Sequence, residues 1–253
     1  MLTQEDIMRV KGRGFLRNRG TDLFSGRMLA AGTVFSAEDF TAIAELARRF
    51  GNGKLIPTSR QCIEVPGIPF EKIEEAEAFA AAHGLQFGGT GAKVRPITAC
   101  KGTTCVFGNC DTQAIARRIH ETFYEGWSSV KLPHKFKISV GGCPNSCIKP
   151  SLNDFGVEAR RVKGETCFTV YVGGTWGRTT RMGTALSRTF TEAELLPLLE
   201  KTLLWFRENG YQKERFGKTI DRVGIECLEA ALFSDDLLTR REAILAAELK
   251  ANA

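Results

Sequence analysis

T-A-C-K-G-T-T-C, residues 98–105, and G-G-C-P-N-S-C, residues 141–147, are the stretches from which the rest of the chain is best read. They place four cysteines in two close pairs, Cys100 with Cys105 and Cys143 with Cys147. Glycine, proline and small polar residues make up most of both loops, so thiolates can converge there without crowding. Four converging thiolates point first to a metal or iron–sulfur site.

Other fates for cysteine fit less well. The N-terminus, M-L-T-Q-E-D-I-M-R-V-K, carries charges where a secretory signal would be apolar, which predicts a reducing, cytoplasmic setting and argues against disulfides. Structural zinc ribbons favour C-x2-C knuckles, whereas these pairs are spaced C-x4-C and C-x3-C. Cys62, Cys167 and Cys227 stand apart and read as unliganded packing residues. Cys110 leaves the ligand set open, because Cys105 and Cys110 are also spaced C-x4-C. Just beyond it, Asp111 reads as the N-cap of a helix with Ile115, Ile119 and Phe123 on one face.

With 253 residues, 43% of them hydrophobic, the chain can bury one large core or two smaller ones. No apolar run reaches membrane-spanning length. Lys+Arg number 35 against Asp+Glu 29, a formal net charge of +6 that suits an anionic partner. The absence of a Lys/Arg-rich block or an aromatic-interleaved basic run argues against nucleic acid as the main ligand.

Strand and helix signals alternate from Ser25 to about Gly84. Arg27–Phe35 reads as a strand, and S-A-E-D at Ser36 caps a helix with Phe40, Ile43, Ala47 and Phe50 as its apolar stripe. Leu55–Val65 reads as a second strand, and Pro69 starts a second helix running through Ala82. Short connections make this an α+β layer rather than a parallel Rossmann sheet. The glycine-rich F-G-G-T-G-A-K-V-R (87–95) lacks phosphate-loop spacing and reads as a linker, which divides the chain into domains at 1–88 and 89–253. Beyond it, strands are expected at Phe136–Val140, around Gly156–Val162 and at Cys167–Val172. Thr191 opens a helix with Leu195, Leu199 and Leu203 as its core face, and the segment from Glu229 to the end reads as surface helix.

Basic residues supply a second signal. Arg60 falls in a strand pattern, P-T-S-R-Q-C-I-E-V, and Arg95 lies five residues before Cys100. Lys135 and Lys137 alternate in L-P-H-K-F-K-I-S-V, so an extended chain projects both from one face. An isolated K-x-K is usually a solvated strand face, but this one runs towards the Cys143 loop. Cations gathered beside a redox metal centre would bind a small oxyanion and protonate it.

T-S-R-Q, V-R-P-I-T-A-C, L-P-H-K-F-K, G-G-C-P-N-S-C, V-Y-V-G-G-T-W-G-R and E-R-F-G-K-T-I-D-R-V-G occur in the order found in sirohaem-dependent sulfite and nitrite reductases. From about residue 25 to residue 226 the chain resembles that family. The resemblance implies an α+β fold: a small ferredoxin-like α/β N-terminal half followed by a mixed α/β sirohaem and [4Fe–4S] domain. It further implies that Cys100, Cys105, Cys143 and Cys147 hold the cluster, favouring Cys100 and Cys105 over Cys110. Cys147 would also be the axial ligand of sirohaem iron, and Asn145, Arg60 and Arg95 would contact the cofactor. Arg60, Arg95, Lys135 and Lys137 match the family's substrate-binding and proton-supplying cations.

The chain departs from the family pattern in two places. Many members space the first cysteine pair C-x5-C, and the familiar core has two repeats where this chain has one. In two-repeat members the cations and the cysteines often come from different repeats, which here implies a homodimer or a related partner subunit. No ferredoxin-type cysteine run or dinucleotide fingerprint is present, so the electrons must come from an external donor protein such as a ferredoxin. The expected activity is reduction of sulfite to sulfide or of nitrite to ammonia. The competing reading is a non-catalytic electron-transfer or tetrapyrrole-binding subunit, which would have no need for four oxyanion-binding cations.

Overall fold

The computed structural model describes residues 2–251 and divides into two compact units, one ending at Gly91 and the other starting at Ala92. The architecture is α+β. In the first unit, α1 (Gln4–Gly12) starts from a capping box made by Thr3 and Asp6. β1 (Phe15–Arg17), β2 (Leu23–Leu29), α2 (Ala37–Phe50), β3 (Ile56–Pro57), β4 (Ile63–Pro69), α3 (Ile73–Ala82) and β5 (Gln86–Phe87) follow. The sheet runs β1-β2-β4-β3, with β5 also paired to β2, and every pairing is antiparallel.

The Ser36 hydroxyl accepts the Asp39 N–H, and the Asp39 carboxylate returns the bond, so α2 starts where its sequence signal lies. Ile43, Ala47 and Phe50 face a core that includes Phe24, Met28, Val65 and Ile68. Leu46 completes that stripe. Phe40 does not join it and stays exposed against Phe35, with ring centroids 5.6 Å apart.

Two strand expectations are corrected here. The strand expected at Arg27–Phe35 is Leu23–Leu29, because Gly32 and Thr33 take left-handed backbone and close a turn after it. The strand expected at Leu55–Val65 is broken into β3 and β4 by a turn in which the Thr58 N–H bonds the Cys62 carbonyl and Gln61 has φ 54°. Arg60 therefore sits on a turn rather than in a strand. Pro69 ends β4, and a short 3-10 turn separates it from α3.

The second unit contains β6 (Thr98–Ala99), α4 (Thr112–Ile119), β7 (Ile138–Gly141), β8 (Phe155–Val162), β9 (Glu165–Val172), β10 (Thr184–Ala185) and α5 (Leu195–Asn209). The helices α6 (Phe216–Val223), α7 (Ile225–Leu232), α8 (Asp236–Thr239) and α9 (Arg241–Ala246) follow. Its sheet runs β10-β9-β8-β7-β6, with β6, β7 and β8 parallel and the β8–β9 and β9–β10 pairs antiparallel. Asp111 caps α4 by accepting the Gln113 and Ala114 N–H groups. Phe123 reaches the core from a π-helical turn that continues the helix. Thr191 and Glu194 form the capping box before α5, and Leu195, Leu199 and Leu203 are fully buried.

The C-terminal helices correct a further expectation. Leu232, Leu237 and Ile244 enter the main core, so this segment is part of the domain interior rather than a surface cover. Residues 252 and 253 of that expectation lie outside the described residues. Phe136 is buried against Phe206 and Phe216, with centroids 5.9 and 5.2 Å away, and pins the chain just before β7. Burial of such a ring contributes roughly 2–3 kcal/mol.

Candidate cofactor and anion site

Both cysteine loops leave the same end of adjacent parallel strands. Thr98 and Ala99 of β6 lie opposite Ser139 and Val140 of β7, so Cys100 follows one strand directly and Cys143 follows the other after Gly141 and Gly142. Parallel pairing thus brings together loops that are some forty residues apart in sequence. The loops also bond each other: the Gly142 N–H donates to Cys100 Sγ at 3.2 Å, and the Asn109 N–H donates to the Gly142 carbonyl at 2.9 Å. A Cβ on Gly142 would meet Cys100 Sγ at 3.3 Å, so glycine permits this approach.

All eight cysteines are free thiols. Cys100, Cys105 and Cys143 are half-buried and Cys147 is exposed, whereas Cys110 is buried within the hydrophobic core. Burial, reinforced by Cys100, pushes the Cys110 thiol up to about 12. Among the described residues no three His, Cys, Asp or Glu side chains stand close enough to hold a metal ion, so the loops are juxtaposed but their thiols are not gathered. Four free thiols on touching loops, with a backbone N–H already directed at one sulfur, fit a cluster in donor chemistry. Ser146 and Lys149 flank Cys147 with φ of 54° and 53°, left-handed backbone that costs each about 1 kcal/mol and is typical of functional loops. Asn145, between the two cysteines, is exposed.

The basic face lies in the same unit. Phe136 bridges Val94 in parallel, and both side chains are buried, so their neighbours Arg95, Lys135 and Lys137 project from the opposite face. The Arg95 N–H bonds the Phe136 carbonyl at 2.8 Å. Burial, together with Arg215 and Arg95, lowers the pKa of Lys135. Arg60 belongs to the first unit and is half-buried on its turn.

Three polar residues not singled out in the sequence complete this region. Asp154, fully buried just before β8, accepts the Lys137 N–H at 2.8 Å and pairs with Arg215 at 3.0 Å. His134 shares a cleft of about 650 Å³ with Lys135, Arg215 and the loop Thr175–Arg181. That loop packs on the exit of the second cysteine loop: the Gly183 N–H bonds the Ser151 carbonyl, and Lys149 Nζ lies 5.8 Å from the Trp176 ring centroid. The sequence signals available were the L-P-H-K-F-K motif for His134 and the E-R-F-G motif for Arg215.

Paired cysteine loops thus leave one end of two adjacent parallel strands, and the basic residues Arg95, Lys135 and Lys137 precede the same strands in an α+β unit. The comparisons make this specific. Residues 90–237 match the nitrite and sulphite reductase 4Fe-4S domain, and residues 18–83 match the nitrite/sulfite reductase ferredoxin-like half domain. The chain belongs to the nitrite and sulfite reductase family and is a member of single-repeat size. The cofactors of the family are a [4Fe–4S] cluster and sirohaem.

An uncharacterised protein of Methanocaldococcus jannaschii is 38% identical over 136 residues, covering 54% of this chain and 48% of that protein. The coenzyme F420-dependent sulfite reductase of the same organism is 27% identical over 249 residues, covering 76% of this chain and 39% of that enzyme. The chain thus spans less than half the length of either. The crystal structure of dissimilatory sulfite reductase I has the same fold, with a TM-score of 0.76 at 18% identity over 91% of this chain and 72% of that one. No helix among the described residues is long and apolar enough to cross a membrane.

Proposed function

We propose that this protein is a reductase of sulfite to sulfide or of nitrite to ammonia, using a [4Fe–4S] cluster and sirohaem and acting in the cytoplasm. The observation that carries the reading is the pair of touching cysteine loops at one end of β6 and β7, in the unit that also carries Arg95, Lys135 and Lys137. In this reading residues 1–88 form a half domain and residues 89–253 carry the cofactors. Cys100, Cys105, Cys143 and Cys147 hold the cluster, Cys147 also reaches the sirohaem iron, and Asn145, Arg60 and Arg95 contact the cofactor. Bound there, the two cofactors would relay to the anion the electrons that a donor protein delivers.

Arg60, Arg95, Lys135 and Lys137 do the anion chemistry. A small oxyanion loses its oxygens as water, so each departure needs protons and a compensating positive charge. Arg95 and Lys137 hold the anion by charge-assisted hydrogen bonds. Lys135, its pKa lowered chiefly by burial, gives up a proton more readily than an exposed lysine. A single-repeat chain completes the site as a homodimer or with a related subunit, and an external donor protein such as a ferredoxin delivers the electrons.

The reading is tested by anaerobic purification, followed by an absorption spectrum, iron and acid-labile sulfide analysis, sedimentation, and assays with sulfite and nitrite. Lys137→Ala is expected to keep the pigment and lose most turnover. Protein that stays colourless and iron-free after anaerobic reconstitution would overturn the reading.

A further inference from the structure

Thr112, the first residue of α4, is fully buried, yet the helix makes no use of its hydroxyl. Asp111 already caps α4 by accepting the Gln113 and Ala114 N–H groups. Alanine would favour a helix more than this β-branched residue does, so local structure gives no reason for a hydroxyl here. A buried hydroxyl needs a partner, and this one finds it on the first cysteine loop.

The Thr112 hydroxyl donates to the Cys100 carbonyl at 2.6 Å, and Cys100 Sγ lies 3.8 Å from the same oxygen. Two further bonds hold the cysteine: its N–H donates to the Val140 carbonyl at 3.1 Å, and its sulfur accepts the Gly142 N–H at 3.2 Å. Backbone N–H, carbonyl and sulfur of Cys100 are thus each engaged, by β7, α4 and the second cysteine loop in turn. Glycine makes room for this wedge on both sides. A Cβ on Gly102, where φ is 54°, would stand 2.7 Å from Thr112 Oγ1, and one on Gly142 would stand 3.1 Å from Thr112 Cγ2.

We propose that Thr112 is a positioning residue that presets Cys100 for iron, keeping its sulfur against the Gly142 N–H. The hydroxyl has one hydrogen, committed to the carbonyl, so towards the sulfur it offers only a lone pair. That lone pair can accept the proton of a free thiol and gives nothing to a thiolate. Any effect of Thr112 on a bound cluster therefore passes through the geometry of Cys100. A sulfur held on a backbone N–H gains a bond that strengthens as negative charge arrives, which raises the reduction potential of the cluster. The effect on the cluster rests on the reading of Cys100 as a ligand, whereas the hold on Cys100 does not.

The test compares wild type with Thr112→Val, which keeps the shape and loses the hydroxyl, and with Thr112→Ser, which keeps the hydroxyl. Thr112→Ala is a second hydroxyl-free variant, so a valine chain that fails to fold leaves the comparison intact. Each protein is reconstituted without oxygen with ferrous iron and sulfide, and cluster loss to a ferrous chelator is followed by absorption. Thr112→Val and Thr112→Ala are expected to lose the cluster about tenfold faster than wild type, the usual scale for removing an outer-shell bond to a metal ligand. Their reduction potential should fall, and Thr112→Ser should restore both properties. In the iron-free chains, iodoacetamide should alkylate Cys100 faster in the hydroxyl-free variants than in wild type or Thr112→Ser, read site by site by mass spectrometry. If folded hydroxyl-free variants keep the wild-type cluster lifetime, potential and Cys100 alkylation rate, the proposal is overturned. Equal changes in Thr112→Ser and Thr112→Val would assign the effect to packing and overturn it too. Wild-type protein that takes up no cluster would count against the cofactor reading alone, because Cys100 alkylation would still report on the hold.

Discussion

Asp154 and Arg215, sixty-one residues apart in sequence, are joined by one guanidinium nitrogen that bridges both carboxylate oxygens at 3.0 Å. The same carboxylate accepts the Lys137 backbone N–H, so a single buried anion ties the basic strand to the start of α6. Asp154 is fully buried, and the Arg215 side chain is only 17% exposed. Removing one partner of such a pair leaves the other charge desolvated and uncompensated, at a cost of about 3–5 kcal/mol. Asp154→Ala should therefore lower the urea midpoint sharply at neutral pH. Glu75→Ala, which breaks the exposed Lys72–Glu75 pair at 2.7 Å, should cost less than about 1 kcal/mol and leave the midpoint close to wild type.

Two histidines make the fold sensitive to mild acid. Burial lowers the pKa of His120, and burial together with neighbouring cations pushes that of His134 to about 4, both from an ordinary value of 6.5. Between pH 6.5 and about 4 the unfolded chain binds protons that the native His134 does not, so stability rises with pH across this window and falls on acidification. The lowered carboxylates, among them Glu194 and Glu214, act below their ordinary 4.5, whereas Asp154, its pKa raised by burial, works against the histidines above its ordinary 3.8. Denaturant unfolding of the wild type at pH 7 and pH 5 should show a loss that is smaller in His134→Gln. An equal loss in both proteins would remove His134 as a cause.

Gly156 offers a steric test of the second cysteine loop. A Cβ at this β8 position would lie 2.1 Å from the Pro150 carbonyl oxygen and 2.4 Å from its carbon. Backbone cannot yield as a side-chain tip does, so Gly156→Ala must displace the turn that follows Cys147. Overpacking of this kind costs about 1–3 kcal/mol. The variant should show both a lower melting temperature and reduced iron content after anaerobic reconstitution. Full iron content would mean that the loop tolerates the shift.

Local signals in the sequence located most of the scaffold. Ser36, Asp111 and Thr191 cap the helices their side chains predict, and Leu195, Leu199 and Leu203 face the core at helical spacing. The cysteine loops were legible because paired thiols in glycine-rich segments have few alternative uses. Arg60 was misplaced because alternation across Leu55–Val65 carries no mark of the left-handed Gln61 that breaks the strand. Asp154, Arg215 and His134 were missed for a different reason: their significance lies in contacts across dozens of residues, and no local periodicity encodes a buried pair. Helix α2 shows the same limit on a smaller scale, since Phe40 and Leu46 both fit an apolar stripe and only packing decides which one is buried.

The two kinds of cysteine in the first loop should respond oppositely to substitution. Cys100, Cys105, Cys143 and Cys147 lie on loops at the strand ends, half-buried or exposed, whereas Cys110 packs into the hydrophobic core beneath α4. A serine hydroxyl is a poor substitute for a thiolate donor to iron, so Cys105→Ser and Cys147→Ser should each lose most of the iron and acid-labile sulfide while the melting temperature of the iron-free chain stays close to wild type. Cys110→Ala removes a buried sulfur and leaves a small void, costing about 1 kcal/mol of stability, and should retain the full iron complement. Iron and sulfide content of the three variants, reconstituted together without oxygen, separates these outcomes. Iron lost from Cys110→Ala but kept in Cys105→Ser would move the ligand role from Cys105 to Cys110, the other C-x4-C partner in the loop.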